Sequence, residues 1–405
     1  MRGYLRGALL ATAFGAAFGL ACGAAGGAAW AATVKVGVVA PFSGPFAMVG
    51  KTFKEAIAVY QAEHGKEVAG TTVEFVFKDL DQANPAQSKA LSQELVVKEK
   101  VGFLAGYFFT PDALAVAPLI DEANIPCVIF NAATSAITEK SPRYVRTSFT
   151  LWQNTVPLAE HMARQGIRKV VTAVSDYGPG IDGETAFKTT FEKAGGQVVD
   201  SIRMPLKSTD FAPFMQRIRD SGAEAIYAFL PAGPTTLAFV KAFNDNGLKD
   251  RGIKFFGPGD LTQEPDLPAL GDAALGLTTT FNYSQAHDSE KNRRFLARHK
   301  ELFGSSDTVT FTSVGAYDGV EVIYRMIEKA GGKVGPGKMD GAKAVESIKG
   351  LSWESPRGPV AIDPDSRHVT QTIYLRVVEK EGGRLINKEV AAFPNQPDYG
   401  YKAGK

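Results

Sequence analysis

Short apolar runs alternate with helical-period segments along nearly the whole chain. The run 33–40 (Thr-Val-Lys-Val-Gly-Val-Val-Ala) is poor in charge and stops at Pro41, and the loop 41–45 opens onto a helical segment from about Met48. The strand in this run spans 35–40, and further strands are predicted at 72–77, 101–105 and 126–130. Between them, 85–98 places apolar residues at 86, 90, 91, 95 and 96, which is helical spacing rather than alternation, and 113–123 behaves alike. Strand and helix in turn are the signature of βαβ units with a parallel sheet. In such a sheet the ligand cleft lies at the carboxyl ends of the strands.

A second series begins after Phe149. Strands are predicted at 169–174, 197–202, 225–229, 253–256 and 277–281, and helices at 151–165, 181–194, 211–221 and 235–246. Helices at 289–303, 314–330 and 342–349 follow. The tail (360–362 and 370–379) alternates, with turns at Asp363-Pro-Asp-Ser and Glu381-Gly-Gly, and reads as antiparallel edge strands. Two sheets of related topology are expected. No low-complexity linker separates the two series, so the chain should cross between lobes more than once.

The first 31 residues read as a secretory leader. Arg2 and Arg6 supply the positive end, 8–20 is an apolar run, and Ala29-Trp30-Ala31 is a small-x-small cleavage site. Cleavage is expected near Ala31 or Ala32, with lipidation at Cys22 as the alternative, so the mature chain reads as exported. About 370 residues then remain, too many for one core. Lys+Arg 45 against Asp+Glu 43 leaves no basic footprint for nucleic acid. After cleavage Cys127 is the one cysteine left; it lies in the apolar run 125–130 and reads as a buried thiol. The five histidines show no metal-ligand spacing, and no metal or cofactor is expected. Gly178-Pro-Gly180-Ile-Asp-Gly183 has the form of a dinucleotide fingerprint. It lies deep in the chain, away from the first βα turn, and no acid ends the next strand at a suitable distance. It reads instead as a tight glycine turn that lets main chain approach a ligand or the other lobe.

Two loops suit ligand binding. Gly106-Tyr-Phe-Phe-Thr-Pro-Asp follows the third strand, with Thr110 at a helix-cap position and Pro111 at the first helical residue. Asn131-Ala-Ala-Thr134-Ser135 follows the fourth, its small residues freeing main-chain N–H groups and Thr134 adding a hydroxyl. Together they could clasp a carboxylate, each charge-assisted bond being worth roughly 1.5–3 kcal/mol.

These residues carry a resemblance over about 33–390. The chain resembles the Leu/Ile/Val-binding family of periplasmic solute-binding proteins through Val36-Gly-Val-Val-Ala-Pro-Phe-Ser-Gly-Pro, Asp79-Leu-Asp-Gln-Ala-Asn-Pro, Ala132-Ala-Thr134, Asp176-Tyr-Gly178 and Phe256-Gly-Pro-Gly. The resemblance implies a two-lobed α/β type I fold, each lobe a mostly parallel sheet flanked by helices, with a hinge of three crossovers near 149–151, 281–283 and 351–354. Lobe 1 is expected to comprise 32–149 plus 282–353, and lobe 2 150–281 plus 354–405. It implies that Thr110, Ala132 and Thr134 hold a ligand carboxylate and that Tyr177 closes over it. In amino-acid binders an acid holds the ammonium where this chain has Gly259, with Asp260 one step later, and a second-lobe aromatic gives way to Pro231-Ala-Gly233. Phe42, Phe46, Tyr107, Phe108 and Phe109 crowd the first-lobe loops; some belong to the core and about half are expected to line the cleft, which favours an aromatic ring. The expected function is a monomeric solute-binding component of an ABC importer. It would deliver a small carboxylate to a membrane permease, the ligand being an aromatic acid or, alternatively, a branched-chain amino acid. A sensory ectodomain and an exported enzyme are the remaining alternatives.

Overall fold

The structure is a computed structural model that describes residues 32–402. The leader and Cys22 lie outside the described residues. The first sheet comprises β1 (Ala32–Ala40), β2 (Glu67–Val68), β3 (Thr71–Asp79), β4 (Phe103–Gly106), β5 (Cys127–Ile129) and β6 (Tyr144–Arg146). Its order is β2-β3-β1-β4-β5-β6, parallel except for β2. Val36 sits between Phe75 and Phe103 in the register, and β1 is buried on both faces along its carboxyl half. That is why it reads as an unbroken apolar run. Helices α1 (Ala47–His64), α2 (Pro85–Val97), α3 (Thr110–Ala115) and α4 (Ala117–Ala123) accompany it. The single helix expected over 113–123 is broken at Val116, because Pro118 has no N–H to give the Leu114 carbonyl.

The second sheet holds β7 (Lys169–Ser175), β8 (Gln197–Met204), β9 (Ala225–Phe229), β10 (Lys254–Pro258) and β11 (Thr278–Phe281), all parallel. An antiparallel set, β12 (Ser352–Ser355), β13 (Gly358–Ile362), β14 (Val369–Glu381) and β15 (Arg384–Gln396), extends it, so the tail forms the expected edge. Around it lie α5 (Leu151–Arg164), α6 (Gly178–Lys193), α7 (Ala212–Asp220), α8 (Pro234–Asp245) and α9 (Leu267–Leu270). Helices α10 (Glu290–Phe303) and α11 (Phe311–Lys329) pack back on α1, and α12 (Gly341–Glu346) packs on α11.

The chain therefore passes between the sheets three times, from β6 to α5, from β11 to α10 and from α12 to β12. Two fully buried arginines pin these passages. Arg357 pairs with Asp318 at 2.7 Å and donates to the carbonyls of Thr147 and Ser148. Arg376 donates to the carbonyls of Tyr283 at 2.5 Å and Gly259 at 3.4 Å. Cys127 is a buried free thiol, and burial pushes its pKa up. Among the described residues no helix is long and apolar enough to cross a membrane, and no three His, Cys, Asp or Glu residues are grouped to hold a metal.

Candidate functional site

The loops after β4 and β5 lie side by side at the carboxyl edge of the first sheet. Phe109, not Thr110, takes the cap position of α3, and Thr110 is its first helical residue. The capping bond expected of Thr110 is not made. Its Oγ1 is buried without a hydrogen-bond partner, and so is that of Thr134. Two buried hydroxyls without partners are costly unless a further group meets them.

The 131–135 loop is held from behind. Asn131 Nδ2 donates to the Phe108 carbonyl at 3.0 Å, and Leu151 N–H donates to the Ala133 carbonyl at 3.2 Å. Arg146 Nη1 donates to the carbonyls of Ala132 at 3.1 Å and Thr134 at 2.7 Å. The Ala132 N–H is spent on the Tyr107 carbonyl. Ala132 thus frames the loop with both main-chain groups engaged, contrary to the expectation that it faces a carboxylate.

From the second sheet, α6 points its amino end at these hydroxyls. A Cβ placed on Gly178 would fall 2.7 Å from Thr134 Oγ1 and 3.4 Å from Thr110 Cγ2. The first-turn N–H groups of α6 have no helical partner and carry the positive end of its dipole. The rest of the glycine motif is explained by packing. A Cβ on Gly180 would meet the Ser175 carbonyl oxygen at 1.8 Å, and one on Gly183 the Tyr227 hydroxyl at 2.7 Å. One turn into the helix, Asp182 accepts from the Ser135 N–H at 3.0 Å, and burial raises its pKa to about 6.

The aromatic residues divide. Phe46, Phe108 and Phe109 form one cluster, with ring centroids 4.7–5.7 Å apart. Phe46 also lies against Gly233, whose Cβ would sit 3.1 Å from the ring. The Pro231-Ala-Gly233 segment therefore leaves room that a first-sheet ring occupies. Tyr107 departs from the expectation. Gly106 and Tyr107 both have positive φ, which turns the Tyr107 side chain back into the core, where its hydroxyl bonds Ser92 Oγ at 2.7 Å. Tyr177 caps α6 and stacks on Phe229 with centroids 6.1 Å apart.

Asp260 follows β10 in a short 3-10 turn and is buried. It accepts from its own amide and that of Ala232, and Oδ2 has no partner. Burial raises its pKa to about 7, against the pull of Arg376. Its charge pushes up the pKa of both Tyr177 and Tyr227, secondary to burial. The contacts run from Thr110 and Thr134 to Gly178 on one side, and from Asp260 through the Ala232 amide and Gly233 to Phe46, and from Phe46 to Phe108 and Phe109, on the other. One end offers hydroxyl and amide donors, the middle aromatic faces, and the other end a carboxyl group. Sequence reasoning missed Arg146 and Asp182. Arg146 reads as an ordinary strand-end residue, and Asp182 was hidden inside a glycine motif judged for cofactor binding.

A family model described as periplasmic binding protein matches residues 33–384. A Leu/Ile/Val-binding protein homolog 6 from Brucella melitensis is 59% identical over 374 residues, covering 92% of this chain and 95% of the relative. A solute-binding protein of an ABC transporter from Rhodopseudomonas palustris HaA2, solved with p-hydroxybenzoic acid, superposes with a TM-score of 0.89 at 57% identity, covering 91% of this chain and 99% of that one. Another from R. palustris BisB5, solved with 3,4-dihydroxybenzoic acid, gives 0.85 at 44% identity with the same coverage.

Proposed function

This chain belongs to the periplasmic binding protein family, and from that premise we propose that it captures a small aromatic monocarboxylate, of the 4-hydroxybenzoate type, for an ABC importer. The observation that carries this reading is the pair of buried, unpartnered hydroxyls on Thr110 and Thr134, facing the amino end of α6. They supply donors for a carboxylate, and the α6 dipole adds to the attraction. Phe46, Phe108, Phe109 and Tyr177 supply the ring contacts, and the hydroxybenzoate-bound relatives support that choice. Burying a ring of roughly 150 Å² contributes about 3–4 kcal/mol. With two or three carboxylate bonds, micromolar affinity (about −8 kcal/mol) is reached without an ammonium contact.

The lobes are assigned as 32–149 plus 282–353 and 150–281 plus 354–405. The contacts of Gly178 with Thr134 and of Gly233 with Phe46 then belong to a closed cleft. A ligand touching both lobes stabilises that form through its differential contacts. The protein acts as a periplasmic monomer, released from its leader or anchored at Cys22, and presents the closed form to a permease. It captures and hands over its ligand without altering it.

Thr134→Val is expected to weaken 4-hydroxybenzoate binding by about 1–3 kcal/mol, because a desolvated carboxylate oxygen loses its donor. Titration calorimetry measures this, and unchanged affinity would place the pocket elsewhere.

A branched-chain amino acid is the second reading, favoured by one observation, the free oxygen on buried Asp260. The pH dependence separates the two. An ammonium group needs the Asp260 carboxylate, whose pKa is raised to about 7. Leucine affinity would then rise roughly tenfold per pH unit up to about 7 and level off above it. A phenol can donate to the carboxylate or accept from the carboxyl, so hydroxybenzoate affinity should change by under about threefold per unit. Calorimetry between pH 5.5 and 8 distinguishes the two, and a steep leucine slope with no hydroxybenzoate binding would reverse the assignment.

A further inference from the structure

We propose that Asn154 touches the ligand and, together with Asp260, reads a hydroxyl on the far side of the aromatic ring. The inference rests on the aromatic-acid reading and extends it to a residue outside the two hydroxyl loops. Asn154 lies in the first turn of α5, just past the first passage between the sheets. It is fully buried, and neither Nδ2 nor Oδ1 has a hydrogen-bond partner. Its main chain, by contrast, is satisfied: N–H donates to the Thr150 carbonyl at 3.2 Å, and the carbonyl accepts from Thr280 Oγ1 at 2.8 Å. A buried amide with both ends unmet is rare in folded proteins and calls for a partner.

The neighbours say which partner. Thr155, the next residue, bonds its Oγ1 to the Tyr227 hydroxyl at 2.7 Å, and Tyr227 lies within the field of the Asp260 carboxylate. Thr280 is paired in register with Pro258, two residues before Asp260. Asn154 is thus tied, through Thr280, to the carboxyl ends of β11 and of β10, the strand that Asp260 follows, and both residues carry polar atoms without partners. An amide supplies a donor and an acceptor, whereas a carboxylate supplies acceptors only. A phenolic hydroxyl meets both needs: it donates to Asp260 and accepts from Asn154 Nδ2. Benzoate has nothing to offer either group.

The test is calorimetry with benzoate and 4-hydroxybenzoate on the wild type and Asn154→Leu, with the melting temperature of each unliganded protein. In Asn154→Leu the 4-hydroxybenzoate affinity is expected to fall by roughly tenfold or more, with benzoate changed by under about threefold. The unliganded melting temperature is expected to hold or rise, because an unpaired amide has been removed. Asn154→Ala, smaller and free of clashes, should show the same loss of preference if the leucine variant does not fold. Equal losses for both acids, or an unchanged preference, overturn the role of Asn154 while leaving the aromatic-acid reading standing. A wild type that binds neither acid removes that reading and this inference with it.

Discussion

Gly178→Ala is expected to leave the melting temperature of the unliganded protein unchanged and to weaken ligand binding by about 1–3 kcal/mol, roughly 5- to 150-fold. Gly178 is not among the residues with positive φ, so alanine is compatible with its backbone. The obstacle lies across the cleft. The new Cβ would fall 2.7 Å from Thr134 Oγ1, nearer than side chains come to one another. The Thr134 backbone is held from behind by Arg146 at 2.7 Å, so the clash is relieved only by turning the hydroxyl away from the position in which it meets the ligand. The clash therefore exists only while the loops of the two sheets meet, and an open form does not feel it. Gly180→Ala is the control. Its Cβ would meet the Ser175 carbonyl oxygen at 1.8 Å, within the second sheet's own strand-to-helix turn. That substitution should lower the melting temperature with or without ligand. Calorimetry and thermal melts on both variants check the contrast. Wild-type affinity in Gly178→Ala would mean that α6 does not approach the Thr134 loop in the bound form.

What the sequence revealed follows from where the information lies. Strands buried on both faces, such as β1, appear as apolar runs, and the βα order of both sheets is readable from period alone. β15 is not readable this way. Residues Arg384–Gln396 are mostly exposed, include Pro394 and alternate poorly, and the strand exists because β14 offers it an edge. The two threonines of the proposed site could be picked out because they follow buried strands in short loops. Tyr107 was misplaced because two consecutive positive-φ residues reverse its direction, and Gly106 did not announce that its neighbour would share the turn. Asn154 and Arg146 were invisible for a different reason. Nothing local marks them, and their roles come from partners far along the chain, such as Thr280 for Asn154 and Asp398 for Arg146.

Arg146→Met is expected to be the most damaging single substitution in the site's support, costing about 3–5 kcal/mol of folding stability. The guanidinium is fully buried and serves four acceptors: the carbonyls of Ala132 and Thr134, His368 Nδ1 at 3.1 Å, and Asp398 at 3.3 Å. Asp398 reaches it from the segment after β15 and also accepts from Ser135 Oγ and Thr150 Oγ1. Removing the arginine strands a carboxylate in a dry interior, where an uncompensated charge costs more than the pair contributed. Lysine should not rescue it, since a point charge cannot reproduce the planar fork. Asp398→Asn in the Arg146→Met background separates the two roles. It removes the stranded charge, so urea unfolding should show a clear part of the lost stability restored, the rest being the cost of the acceptors still unpaired. The carbonyls of Ala132 and Thr134 would still lack their clasp, so the Thr134 hydroxyl would be poorly aimed and ligand affinity should stay low. Recovery of affinity in step with stability would show that Arg146 only balances Asp398 and has no part in positioning the loop.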